Sequence, residues 1–343
     1  MSVSGGESYS DYLCIEPFIA EMVGARALSS AFELGVIDAL LARPRPESAL
    51  REGLKLDERG LQLLLGLLRA NGVVEEQEGG WGLSAAFRKA LTYRDLMVRK
   101  LEFAHLVAPD FTELFTPLLA QPQRFFDTAR LFELFAYQRC WEAAPENIAA
   151  TARWVRITTA LTHYEAAAAL AHYDFGRHRR MLDVGGNSGE FALRACAQHA
   201  NLRATVLDLP VVCELGRRHV KGEAGGERVE FVAVARGSHE TPAGHDLVSF
   251  KSMLHDWPEA QMRDFVTRAC EALMPGGTLM IYERAPVRVT GTIPYGHLPF
   301  ALFFRAYREP GVYTELLAQL GMRDIKVRMI ALEMPFMLVT ASK

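Results

Sequence analysis

The chain has little of what would place it outside an ordinary aqueous compartment. Its 343 residues hold five cysteines, Cys14, Cys140, Cys196, Cys213 and Cys270. They are odd in number, widely spaced and never arranged as C-x-x-C, which argues against a disulfide framework and against a zinc site. They are expected to be plain thiols that pack as small hydrophobes. No apolar run approaches the roughly 18 residues a membrane-spanning helix needs. The opening Met1-Ser2-Val3-Ser4-Gly5-Gly6-Glu7 lacks the basic and apolar regions of a secretory signal, so a cytoplasmic location is expected. Charge bias is also missing. With 38 Lys and Arg against 41 Asp and Glu, the formal net charge is −3, which gives no electrostatic reason to expect nucleic acid or an anionic membrane. Internal repeats and low-complexity tracts are absent too. What remains is a globular composition, 50% hydrophobic and 23% charged, in a chain long enough for two domains or one large domain with an extension.

The first hundred residues read as helices plus one small hairpin. Residues 21–41 carry apolar side chains at helical spacing and stop before Arg43-Pro44-Arg45-Pro46, a sequence that helices rarely cross. Residues 61–68 are apolar nearly all round, which predicts a buried helix, and Asn71-Gly72 closes it as a C-terminal cap does. Val73-Val74, Gly79-Gly80 and Trp81-Gly82-Leu83 form a hairpin signal. Helix, helix, hairpin is the order of a winged helix, a DNA-reading shape. Residues 1–90, however, hold nine Lys and Arg against thirteen Asp and Glu, a net of −4. Phosphate neutralisation dominates DNA affinity, so a module that packs on a partner subunit is the better reading. Residues 95–175 look mostly helical and are rich in aromatics, most of them expected in the core, with a minority lining a flat apolar pocket.

From residue 180 onward strand and helix alternate, the mark of a parallel sheet covered by helices. Strands are expected at 181–184, 204–208, 229–233, 247–251, 278–282, 325–329 and 337–341. The first ends in Asp183-Val184-Gly185-Gly186-Asn187-Ser188-Gly189. Gly186 and Gly189 fit the last two positions of the dinucleotide fingerprint G-x-G-x-x-G, while Val184 stands at its first. The turn is open to a ligand but is not built as a pyrophosphate cradle. Asp208 closes the second strand, either to accept ribose hydroxyls or to cap the next helix. Lys251-Ser252-Met253-Leu254-His255-Asp256-Trp257 follows the fourth strand, at the carboxyl edge where open α/β sheets bind ligands. His255 has the unperturbed pKa range that suits a base near neutral pH. Glu283 ends the next strand on the same edge, either to orient His255 or as a surface carboxylate. Met274-Pro275-Gly276-Gly277 reads as a turn before the fifth strand.

On these residues the chain resembles the S-adenosylmethionine-dependent O-methyltransferases related to plant caffeate O-methyltransferases, with bacterial relatives acting on pigments and antibiotics. The resemblance spans nearly the whole chain, through Ala31-Phe32-Glu33-Leu34-Gly35-Val36-Ile37-Asp38, the Asp183 to Gly186 turn, Asp208-Leu209-Pro210, Leu254-His255-Asp256-Trp257 and Pro275-Gly276-Gly277. It implies a Rossmann-like α/β catalytic domain with a mostly parallel seven-stranded sheet, at 176–343. It also implies an N-terminal winged-helix dimerisation domain at 1–100 and a helical connector at 101–175 that contributes to the substrate pocket. The cofactor implied is S-adenosylmethionine, the substrate an aromatic small molecule and the assembly a homodimer. The family's catalytic histidine falls on His255 and its orienting glutamate on Glu283. A second glutamate falls nearest Glu309, after a one-residue slip. Cofactor contacts fall on Asp183, Gly185, Gly186, Asp208, Leu209 and Lys251. The family's Gly-Asp-x-Phe after the third strand is missing, since the chain reads Ala233-Val234-Ala235-Arg236-Gly237. Arg236 is the stacking partner offered there for the adenine. O-methylation is the reading preferred. C-methylation, metal-assisted through His255 and His297, a non-methylating hydroxylase- or decarboxylase-like enzyme, and a nucleoside-sensing regulator stay open beside it.

Overall fold

The computed structural model describes residues 22–236, 240–286, 302–303 and 306–343; His297 lies outside them. The described residues group into one compact unit that ends at Leu131 and another that begins at Phe132, with Leu302 counted in the first.

In the first unit, helix α1 (Met22–Glu33) and helix α2 (Val36–Leu41) replace the single helix expected over 21–41. The break lies at Gly35, whose φ of 77° is a left-handed conformation that glycine adopts at no steric cost. Helix α3 (Glu47–Leu54) starts directly after the Arg-Pro repeat, and α4 (Glu58–Ala70) follows. The Asp57 side chain accepts the Gly60 N–H at 2.8 Å and satisfies one of the donors that a helix start leaves open. Leu61, Leu64, Leu65 and Leu68 of α4 face the core. Leu63 does not: it is 67% exposed, so this helix is buried on one face only. Strands β1 (Val74–Gln77) and β2 (Gly80–Leu83) pair antiparallel from Val74↔Leu83 to Gln77↔Gly80, as the hairpin signal predicts. Helices α5 (Ala85–Ala90), α6 (Arg94–Ala120) and α7 (Pro122–Thr128) complete the unit, and a short α8 (Leu131–Leu134) lies at the division.

The second unit opens with the long helix α9 (Pro145–His172). Strands β3 (Arg180–Val184), β4 (Arg203–Asp208), β5 (Val229–Ala233), β6 (His245–Lys251), β7 (Leu273–Arg284), β8 (Arg323–Ile330) and β9 (Phe336–Ser342) form one sheet in the order β5-β4-β3-β6-β7-β9-β8. The five from β5 to β7 run parallel, while β9 is antiparallel to β7 and β8. Helices α10 (Glu190–Gln198), α11 (Pro210–Val220), α12 (Glu259–Ala272) and α13 (Pro310–Gln319) intervene. The inner strands read as apolar runs because both faces are covered, while the edge strands β5 and β8 are largely exposed. Met181 packs in one core cluster with Phe175, Phe191 and Met280, and its neighbour Leu182 in another with Val248, Met262 and Tyr313, as the two-residue strand period requires.

All seven expected strands are present. Most differ at their ends by one or two residues, and the largest difference is at β7, which begins five residues early. Its pairing jumps from His245↔Leu273 to Leu247↔Thr278, so Met274-Pro275-Gly276-Gly277 is a bulge inside the strand. Gly276 supplies the φ of 74° there. The sheet order reverses at β3, which has β4 on one side and β6 on the other. The crevice outside the carboxyl ends of these strands is where such sheets place a ligand.

Candidate active site

The turn after β3 is shaped by three residues with positive φ: Gly185 at 66°, Asn187 at 56° and Gly189 at 75°. Asparagine is the best non-glycine occupant of that region, so Asn187 fits the turn. The turn is also tight. A Cβ on Gly185 would sit 2.4 Å from Met253 Cγ, and one on Gly186 would sit 2.5 Å from Asp183 Oδ2. Asp183 itself is buried. Its Oδ1 accepts the Ser249 hydroxyl at 2.6 Å, while its Oδ2 is buried with no partner. Burial pushes this carboxyl up to about 7, with nearby Asp208 adding to the rise and Ser249 and Lys251 opposing it. A buried acceptor with nothing to accept is costly, and it lies beside a glycine cradle at the carboxyl edge of the sheet. That arrangement fits the ammonium group of S-adenosylmethionine.

Asp208 does not cap α11, whose N-cap Leu209 has no side-chain partner for its first turn; it ties two backbone segments together. One oxygen accepts the Leu209 N–H at 2.7 Å, just ahead of α11, and the other accepts the Asn187 N–H at 2.8 Å across the turn. Each carboxylate oxygen has a further lone pair for a hydroxyl. Burial raises this carboxyl to about 6, against those two backbone bonds. Arg236 stacks over Trp141, 5.8 Å from the ring centroid. Lys251 is turned inward. Its Nζ donates to Thr162 Oγ1 at 2.8 Å and to Glu165 of α9. Glu165 also takes Arg284. Burial opposes the charge on Glu165, but Arg284 and Lys251 outweigh it and hold the carboxyl below its ordinary range.

The segment after β6 is fastened at almost every residue. Ser252, at φ 49°, donates its N–H to the Tyr282 carbonyl at 3.0 Å, and its hydroxyl accepts from Arg284 at 3.1 Å. Glu283, 1% exposed, accepts the Met253 and Leu254 N–H groups through Oε1, both at 2.8 Å. Its Oε2 lies 2.8 Å from His255 Nδ1. That contact places the Nδ1 proton toward Glu283, so in the neutral ring Nε2 carries the lone pair. Nε2 is 3.3 Å from Asp256 Oδ1, and Asp256 Oδ2 accepts the Tyr137 hydroxyl at 2.7 Å. Burial alone would lower the His255 pKa. Glu283 and then Asp256 outweigh it and raise the pKa above the ordinary value. Arg308 donates to the carbonyls of Leu254 and Trp257, on either side of His255-Asp256, and the Tyr307 ring lies against the imidazole.

The structure therefore brings His255 and Glu283 together and sets Met253 over Gly185. Asp183, Gly186, Asp208 and Leu209 gather at the same strand ends. Glu309 is exposed at the boundary of α13. Pro310 follows it and restricts it to an extended backbone, observed as φ −66° and ψ 148°. Glu165, Arg284, Tyr307 and Arg308 escaped the reading of the sequence, and Tyr137 was read only as one of the aromatics of 95–175. For Glu165 the available signal was a lone acid ahead of four alanines, Glu165 to Ala169. A cavity of about 630 Å³ lined by His172, Lys326 and Arg328 among others contains none of these site residues. Among the described residues no helix is long and apolar enough to cross a membrane.

The sequence profile of the O-methyltransferase domain matches residues 118–304. The chain is 29% identical to a 3-hydroxy-5-methyl-1-naphthoate 3-O-methyltransferase of Streptomyces sahachiroi, over 75% of this chain and 73% of that one. It is 25% identical to a mitomycin biosynthesis 6-O-methyltransferase of Streptomyces lavendulae, over 87% and 85%. The crystal structure of human N-acetylserotonin methyltransferase in complex with SAM, 20% identical, covers 100% of this chain and 99% of that chain with a TM-score of 0.72.

Proposed function

The chain belongs to the O-methyltransferase family, and we propose that it moves the methyl group of S-adenosylmethionine to a hydroxyl of an aromatic small molecule, with His255 as general base. The observation that carries this reading is the fixed imidazole. Glu283 holds Nδ1, which leaves Nε2 to take a proton, and Met253 of the same segment lies over the glycine turn. The cofactor supplies a sulfonium-activated methyl when bound. Asp183, Gly185, Gly186, Asp208 and Leu209 would hold it, with Arg236 and its partner Trp141 in place of the missing acid and aromatic. Lys251 would act from behind, through Glu165.

The nucleophile is the harder part. A phenol of pKa about 10 is almost wholly protonated at pH 7. The entering hydroxyl displaces Asp256 from Nε2 and gives up its proton there, a kind of assistance typically worth 10²–10⁴-fold. Glu283 then stabilises the imidazolium as the orienting carboxylate of a triad does. Alignment of the hydroxyl for in-line displacement lowers the barrier by several kcal/mol more. The naphthoate substrate named for the Streptomyces sahachiroi relative supports a fused or substituted phenol as acceptor.

We read residues 1–100 as a dimerisation module, 101–175 as a connector lining the substrate pocket and 176–343 as the catalytic domain. The exposed Val23, Leu34, Leu41 and Leu63 support an apolar homodimer interface in the first part. The same module is too acidic for nucleic acid, and the assignment to the cytoplasm rests on the sequence alone. Isotope-labelled S-adenosylmethionine, incubated with the protein and a panel of hydroxynaphthoates and phenols, tests the reading by mass spectrometry. Label on oxygen supports it. Label on carbon, or none on any acceptor, overturns it.

A further inference from the structure

Two carboxylates contact the His255 imidazole, Glu283 at Nδ1 and Asp256 at Nε2. Packed against the ring beside them is Tyr307, 7% exposed, with ring centroids 5.1 Å apart and planes at 55°. We propose that the Tyr307 ring is a positioning group for His255, holding the imidazole plane and favouring the imidazolium through its π-face instead of through a charge. The proposal rests on the reading of His255 as the base.

The face of an aromatic ring carries partial negative charge and attracts a cation within about 6 Å of its centroid, more strongly where water is excluded. Both rings here are largely buried. The ionisable groups around the imidazole come from every neighbouring element. Its own turn contributes Asp256 at Nε2. Strand β7 contributes Glu283 at Nδ1 and the opposing cation of Arg284. Helix α9 contributes Glu165, paired with Lys251 of β6 and Arg284. Tyr137 binds Asp256, and Arg308 binds the flanking carbonyls. Both carboxylates touch the ring nitrogens, and Arg284 is the cation whose charge opposes that of the imidazolium. A further buried carboxylate would bring a large desolvation cost. A neutral ring adds negative potential without it, and burial pushes the Tyr307 hydroxyl above its ordinary pKa, so the ring stays neutral.

The test is a pH titration of histidine-¹⁵N-labelled protein by NMR, with the His255 signals assigned by their loss in His255→Gln. Tyr307→Leu is expected to lower the His255 pKa by about 0.4–1.5 units, the span of cation–π strengths converted at 1.36 kcal/mol per unit. Tyr307→Phe keeps the π-face and leaves the pKa in place. An unchanged pKa in Tyr307→Leu overturns the proposal, as does a Tyr307→Phe shift as large as that of Tyr307→Leu, which would make the hydroxyl the agent. If Tyr307→Leu loses its fold, judged by lost S-adenosylhomocysteine binding, pentafluorophenylalanine at 307 decides. It keeps the ring shape and inverts the charge of its face, so the pKa must fall; a pKa that stays put overturns the proposal. His255→Ala separates the two ideas. Methyl transfer to hydroxynaphthoates that survives in His255→Ala removes the base, while the titration still reports on the ring.

Discussion

Glu283→Gln changes one atom and forces a choice on the site. The carboxylate accepts three donors, the Met253 and Leu254 N–H groups on Oε1 and the His255 Nδ1–H on Oε2, each at 2.8 Å. The amide has one acceptor oxygen, and its NH₂ must face donors whichever way it turns. Aimed at the backbone it would leave two buried N–H groups unpaired; aimed at the imidazole it spoils a single contact. An unsatisfied buried group costs about 1–3 kcal/mol, so the NH₂ turns to the imidazole. Nδ1 must then accept, the proton moves to Nε2, and the nitrogen that should take the substrate proton is occupied. A hydrogen bond to a charged group is worth about 1.5–3 kcal/mol, which predicts a fall in kcat of about ten- to 150-fold. A fully locked wrong tautomer would approach the ~10⁴-fold seen for the equivalent change in a serine protease triad. S-adenosylhomocysteine affinity, measured by calorimetry, is expected to hold. The pH profile carries a second signature. Glu283 is the largest attraction that raises the His255 pKa, so the acid limb of the variant moves to lower pH even as its maximum falls. Turnover within threefold of wild type, or a loss that follows cofactor affinity, would refute this reasoning.

His255→Ala is expected to bind cofactor normally and to lose most turnover, about 10²–10⁴-fold, in a single-turnover assay of label transfer. Because the His255 pKa is raised, wild-type kcat/KM should decline as pH drops through a value above 6.5, and a flat acid limb would count against a histidine base. Asp208→Ala removes the acceptor that ties Asn187 and Leu209 together as well as the ribose contacts proposed for it; calorimetry should show S-adenosylmethionine affinity reduced by roughly 1–3 kcal/mol. Sedimentation at micromolar concentration should find a dimer, and Leu63→Glu, on the exposed face of α4, should shift it toward monomer; a monomeric wild type would remove the interface assigned to the first hundred residues.

The fold was legible because its signals are short-range. Each inner strand of the large sheet announced itself by its own apolar run, and Gly or Pro marked many of the breaks. Where the reading of the fold slipped, the cause was tertiary. Gly35 looked compatible with one long helix until its left-handed backbone divided it. Leu63 sits in an all-apolar stretch, yet its helix buries only one side. Pro275-Gly276-Gly277 carries turn residues, and the neighbouring strand absorbs them as a bulge. The site was legible where a residue ends a strand, as Asp208 and Glu283 do, because strand order alone sends those ends to one edge.

The remainder of the site depends on partners far apart in the chain. Glu165 meets Lys251 across 86 positions, and Tyr137 meets Asp256 across 119. No local pattern encodes either pair. The stretch 307–309 shows the same limit at single-residue scale. A sequence comparison looks for a carboxylate and finds Glu309, whereas the side chain against the imidazole is Tyr307, two positions earlier. The chain decides otherwise for a physical reason. Pro310 at the start of α13 holds Glu309 in an extended backbone at the helix N-terminus, where an exposed acid interacts favourably with the helix dipole. Tyr307 is left against the histidine, and Arg308 binds the carbonyls on either side of it. One more buried anion beside Glu283 and Asp256 would have to be desolvated at a cost that its attraction to the imidazole only partly offsets. The aromatic ring avoids that cost, so a substitution that reads as the loss of a catalytic acid is consistent with a working base.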